Sequence, residues 1–89
     1  MPTVLRQDGF RVIVFLPPRE HGPPHVDVQN TDGEVVIELA TTGVPQHVRR
    51  IADMRDRDVL RAFWLVESRS EFLHDCWRRY HGEDPNTAK

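Results

Sequence analysis

Asp8-Gly9 separates two β-favouring runs, residues 3–6 and the strongly apolar residues 10–16 (FRVIVFL). Asp-Gly suits a two-residue turn in which both residues take positive φ, so the chain should open with an antiparallel hairpin. Residues 12–16 are continuously apolar, which predicts a second strand covered on both faces and lying centrally in its sheet. Pro17-Pro18 then ends the ladder, because neither proline can donate a backbone hydrogen bond. Residues 17–24 form a rigid, polar connection, long for a hairpin loop.

A third strand over residues 25–29 alternates, with Val26 and Val28 on one face and His25, Asp27 and Gln29 on the other. Asn30-Thr31-Asp32-Gly33 is a turn. The fourth strand, residues 34–40, places Val35, Ile37 and Leu39 inward and Glu34, Val36 and Glu38 outward. Residues 41–54 read ambiguously. Val48, Ile51 and Ala52 fit helical spacing, while Thr41-Thr42-Gly43 suggests a turn into a fifth strand over residues 47–53.

Asp56 is placed to cap a helix running to about Ser68, with Val59, Leu60, Ala62, Phe63 and Val66 as its apolar face. Ser70 is placed to cap a second helix with Leu73, Cys76, Trp77 and Tyr80 as its buried stripe and Gly82 as its stop. The expected fold is therefore α+β: a small antiparallel sheet of four to five strands with two C-terminal helices packed on one face. A single domain spans residues 1–82, and 83–89 form a solvated, flexible tail. Eighty-nine residues are too few for two independent cores.

Composition narrows the function classes. A net charge of −2 argues against a strongly electropositive nucleic-acid binder. Residues 1–44 carry three arginines against six acids, and residues 45–89 carry nine basic residues against eight. Cys76 is the only cysteine, which excludes an internal disulfide and a Cys-based zinc motif and suits a reducing compartment. No charged-then-apolar leader opens the sequence and no apolar run reaches membrane-spanning length, so a soluble, cytoplasmic protein is expected.

The chemistry is concentrated in Glu20-His21-Gly22-Pro23-Pro24-His25-Val26-Asp27-Val28. On a strand, His25 and Asp27 share a side about 7 Å apart. Gly22-Pro23-Pro24 can turn His21 back over the same face, and the prolines would preorganise the arrangement. His21, His25 and Asp27 then make a first shell for zinc or another divalent metal, with a position left for water. Without metal, His25 paired with Asp27 or Glu20 can act as a general base. The plain alternatives are that His21 caps a surface loop while His25 covers the solvent side of a strand, or that the motif contacts a partner. A carboxylate from Glu20 or Asp27 is expected within hydrogen-bond or one-water reach of His21 or His25.

Two further groups stand out. Arg49, Arg50, Arg55, Arg57 and Arg61 can hold phosphates, but Asp53, Asp56 and Asp58 are interleaved with them and favour local ion pairing. Trp64 lies between the apolar stripe and the exposed face of its helix, and Phe72 is similarly placed on the second helix. Large aromatics in such positions anchor interfaces, so Trp64, Phe72, Arg57 and Arg61 are the candidate partner-binding residues.

Met1-Pro2-Thr3-Val4-Leu5-Arg6 with Gly9-Phe10, the stretch from Glu20 to Val28, and Trp77 with His81-Gly82 together resemble one bacterial family, domain-of-unknown-function family four-one-six-zero. Its members usually carry Glu-His-x-Pro-Pro-His-Val-His-Val. The resemblance covers about residues 1–82, and His21 and His25 match position for position. Asp27 stands where the family has its last histidine; aspartate still ligates metal or accepts a proton, but a role needing imidazole there is lost. Members are frequently encoded beside a second small protein in what looks like a toxin–antitoxin pair, with this family in the toxin-like position. The resemblance also implies a strand over residues 47–53.

Three functions follow as expectations. The first is a toxin-like component that binds a cognate, antitoxin-like small protein encoded nearby and acts on RNA as one option. The second is a small metal-assisted or acid–base hydrolase or nuclease using His21, His25 and Asp27, with Glu20 assisting. The third is a non-catalytic interaction or regulatory module. A homodimer is an alternative occupant of the aromatic surface, no cofactor other than a divalent metal is implied, and no membrane is.

Overall fold

The computed structural model describes residues 3–15 and 23–81. Five strands, β1 (Thr3–Gln7), β2 (Phe10–Ile13), β3 (His25–Gln29), β4 (Glu34–Glu38) and β5 (His47–Ala52), precede two helices, α1 (Asp56–Ser68) and α2 (Ser70–His81). The strands lie side by side in chain order, each antiparallel to the next. The α+β expectation holds, and residues 47–52 are strand. The expected cap at Gly82, the domain boundary there, the tail at 83–89 and most of the 17–24 connection lie outside the described residues.

Local chemistry accounts for the turns. Asp8 and Gly9 have φ of 56° and 84°, the paired positive values that a tight hairpin between twisted strands requires. Asn30 Oδ1 accepts the backbone N–H groups of Asp32 and Gly33, each at 2.9 Å, and so closes the β3–β4 turn with its own side chain. Thr41 and Val44 exchange two backbone hydrogen bonds across Thr42-Gly43, which is the turn expected before β5.

The β2 strand is shorter than its apolar run, ending at Ile13. It lies second in the sheet, with β3 at the centre, but Val12 and Ile13 are both buried, so both faces are covered there. On the inner face Phe10, Val12, Val14, Val26, Val28, Val35, Ile37 and Leu39 form one core with Ala62, Leu65 and Val66 of α1 and with Leu73, Cys76 and Trp77 of α2. Both helices therefore close one face of the sheet, driven by burial of an apolar stripe on each.

The β5 strand carries an irregularity opposite Val36 and Ile37 of β4: Arg50 pairs with Val36 and Val48 with Ile37, leaving Arg49 extra. One inserted residue offsets the period of two. Val48 and Ile51, three apart in sequence, thereby both pair with inward residues of β4, while His47, Arg49 and Arg50 belong to the outer side.

Two details of the helices differ from expectation. Asp56 is not the N-cap of α1 but its first residue; Arg55, in extended conformation, takes the cap position and makes no side-chain cap bond. Asp56 and Asp58 instead place negative charge in the first turn, where the helix dipole favours it. Leu60 was expected in the apolar face and is exposed, whereas Leu65 is buried. At 100° per residue, Leu60 falls with Trp64 on the side of α1 opposite Ala62. No helix among the described residues is long and apolar enough to cross a membrane.

Candidate functional site

The sheet face opposite the core is organised in rows that the strand register sets. One row is Ile13, Asp27, Val36 and Arg50, running from β2 to β5. The next is His25, Glu38 and His47 across β3, β4 and β5. Toward the other end, Arg11 Nη2 donates to Gln29 Oε1 at 2.6 Å, and Gln29 Nε2 donates to Glu34 Oε1 at 3.2 Å.

Alternation along β3 puts His25 and Asp27 on this outer face, as the sequence predicts, with Val26 and Val28 in the core. Their environment is not the expected solvent-facing one. His25 is 4% exposed and Asp27 5%, and Ile13 and Val36 beside Asp27 are buried too. The reading in which His25 covers a solvated strand is therefore corrected: it is an interior histidine, its ring 5.0 Å from that of Trp77 on α2. The Trp77 indole in turn stacks on His81, centroids 3.6 Å apart and 9° from parallel.

His25 Nδ1 donates to the carbonyl of Pro23 at 2.9 Å. His47 repeats the device, donating from Nδ1 to the carbonyl of Pro45 at 3.0 Å. In both strands a proline two residues upstream supplies the acceptor and fixes Nδ1 as a nitrogen that carries hydrogen. The other ring nitrogen of His47, Nε2, lies 3.2 Å from Glu38 Oε1. Only a doubly protonated ring can donate at both ends.

Glu38 is the hub. Its second oxygen accepts from Arg49 Nε at 2.7 Å. That hydrogen bond above all holds the Glu38 carboxyl below the ordinary carboxylate value; burial opposes the shift, and the charges of Arg49, His47 and His25 add to it. Arg49 Nη2 lies 3.5 Å from His25 Nδ1. With that nitrogen already donating to Pro23, this is packing between two donors rather than a hydrogen bond, so Arg49 is oriented by Glu38.

His21 and Glu20, which the sequence groups with His25 and Asp27, lie outside the described residues. Among the described residues no set of three or more His, Cys, Asp or Glu is placed to hold a metal ion. The residues that sequence reasoning missed are Glu38 and His47, while Arg49 was named only as one of five arginines able to hold phosphates. A signal was present: Pro23-Pro24-His25 and Pro45-Gln46-His47 both place a histidine two residues beyond a proline at the start of a strand. What was absent was the register that sets them on either side of Glu38.

The partner-binding candidates divide. Trp64 is 57% exposed and Leu60 55%, one turn apart on α1. Trp64 and Arg61 line one shallow depression with Gln7 and Asp8, while Leu60 borders an apolar groove floored by Val48, Val59 and Phe63. Arg57 shares the outward side of the helix. Arg61 pairs with Asp58 at 3.3 Å and lies over the Phe10 ring, 5.4 Å from its centroid. Phe72 is exposed on α2 and lines neither hollow.

No family model, curated protein or solved structure matches this chain.

Proposed function

We propose that this protein is the toxin-like member of a bacterial, cytoplasmic two-protein module and that it meets its small cognate partner through the outward side of α1. The observation that carries the reading is the exposed pair Leu60 and Trp64, continuous with the groove between β5 and α1. An exposed tryptophan beside exposed leucine is costly to leave in water and is the composition of an interface anchor. The motif from Glu20 to Val28 supports the module itself through its resemblance to family four-one-six-zero.

Charge indicates the partner's character. Residues 47–64 carry five arginines against three aspartates within a chain whose net charge is −2. Arg57 and Arg61 flank Trp64 by one to two turns, so an apolar patch with an acidic rim is the complementary surface. The test is expression in the native host, with the product of the adjacent gene present or absent. Growth arrest when this protein is expressed alone, and co-purification of the adjacent product when both are made, are the expected results. A protein that purifies without that product and leaves growth unchanged would contradict the reading.

A further inference from the structure

Cleavage of RNA by attack of a 2′-hydroxyl on its neighbouring phosphodiester needs three groups. One takes the 2′-oxygen's proton, one gives a proton to the departing 5′-oxygen, and a cation steadies the charge on the non-bridging oxygens. The outer face of the sheet presents one residue suited to each, within a single cluster: Glu38, His47 and Arg49. We propose that these three residues form a ribonucleolytic site, with Glu38 as base, His47 as acid and Arg49 as the phosphate-binding cation.

The proton inventory closes without metal or co-substrate. The Glu38 carboxylate accepts the 2′-hydroxyl proton as the 2′-oxygen bonds to phosphorus. The imidazolium of His47 gives its Nε2 proton to the 5′-oxygen as the bond from phosphorus to that oxygen breaks. The products are a 2′,3′-cyclic phosphate and a free 5′-hydroxyl. Glu38 is then protonated and His47 neutral, and their 3.2 Å contact lets the proton pass back and restore both. Glu38 is held ionised by the Arg49 hydrogen bond, the state a base requires.

Accessibility is graded as such a site needs. The side chains of His47 and Arg49 are 45% and 36% exposed, while Glu38 is more protected at 18%. His47 and Arg49, two residues apart on β5, share the Glu38 side by alternation, and the extra residue in the strand adds Arg50 to that side, where it pairs with Glu34 at 3.6 Å. His25 packs 3.5 Å from Arg49 Nη2, with the Trp77 ring against His25 in turn, while Glu38 orients Arg49. Two arginines give only a weak, salt-sensitive hold, consistent with the chain's acidic balance.

This inference rests on the toxin-like reading, which requires a cellular target, but the two fail separately. The experiment uses the purified full chain, EDTA-containing buffer, and an end-labelled mixed-sequence oligoribonucleotide beside its all-deoxy counterpart. Cleavage of the ribonucleotide alone, with cyclic phosphate ends, is expected. Glu38→Gln and His47→Ala should each lower the rate at least about 100-fold. His47 is exposed enough for its truncation to leave the fold intact, so a poorly folding Glu38→Gln protein would not remove the test. No cleavage, cleavage of the deoxy strand as well, a requirement for divalent metal, or unchanged rates in both variants would each overturn the proposal. If the adjacent gene's product still co-purifies in any of those cases, the module reading survives.

Discussion

Glu38 shows how a residue's role depends on neighbours distant in sequence. Its carboxylate is ordinary until β5 brings Arg49 and His47 to it. Because the folded carboxyl lies below its unfolded value, the ionised form stabilises the fold. That contribution is complete above the ordinary carboxylate range, near about pH 4.3, and is lost as pH falls through the lowered folded value. Glu38→Gln should therefore be less stable than the wild type at neutral pH, and the gap should close in acid. Urea midpoints for both proteins at pH 7 and about pH 3 check this; a gap independent of pH would assign the loss to packing. His25 and Asp27 were legible in the sequence as a pair sharing one face, because alternation decides that much. Their burial was not, since alternation says which side a residue takes and nothing about what covers it. Cys76 was placed correctly in the core, and its burial raises the thiol above its usual value, toward inertness.

At the scale of elements, β5 explains its own ambiguity. Val48 and Ile51 are three residues apart, the spacing of a helix face, and a regular strand would send them to opposite sides. The extra residue Arg49 turns that spacing into one strand face. No pattern of period two or 3.6 describes such a segment, and it was the turn at Thr41-Thr42-Gly43, with the family resemblance beside it, that favoured strand. The start of α1 was misread for a related reason. Asp56 has cap chemistry, but the chain arrives in extended conformation at Arg55, and Asp56 serves the helix dipole instead. The turn at 30–33 was readable from its residue types, yet the demand on Gly33 was not. A Cβ there would overlap the carbonyl oxygen of Ala52 and crowd the backbone of Asp53 and Met54. These are backbone atoms of another element and cannot swing away. Gly33→Ala should destabilise the protein by about 1–3 kcal/mol, the usual penalty for forced overpacking. A thermal midpoint equal to the wild type's would show that the approach of the turn to β5 is looser than described.

Across the whole molecule, the meander topology was the most legible feature. Each strand pairs with the next in sequence, and local turn chemistry at 8–9, 30–33 and 41–44 accounts for three of the four pairings; the long connection between β2 and β3 carries no such signal. The division of its two faces was less so. The inner face carries the helices, while the outer face carries the rows containing His25, Glu38, His47 and Asp27. The outward side of α1 therefore points away from the Glu38 cluster, and the two surfaces can be probed independently. Trp64 touches its own helix neighbour Phe63 edge-on at 5.7 Å and lies outside the core, so its removal should leave folding intact. Calorimetric titration of the purified adjacent-gene product into wild type and into Trp64→Ala, at matched thermal midpoints, is the direct measurement. The account predicts binding weakened by about 2 kcal/mol or more, the loss expected of a central aromatic anchor; equal affinity for the two proteins would contradict it.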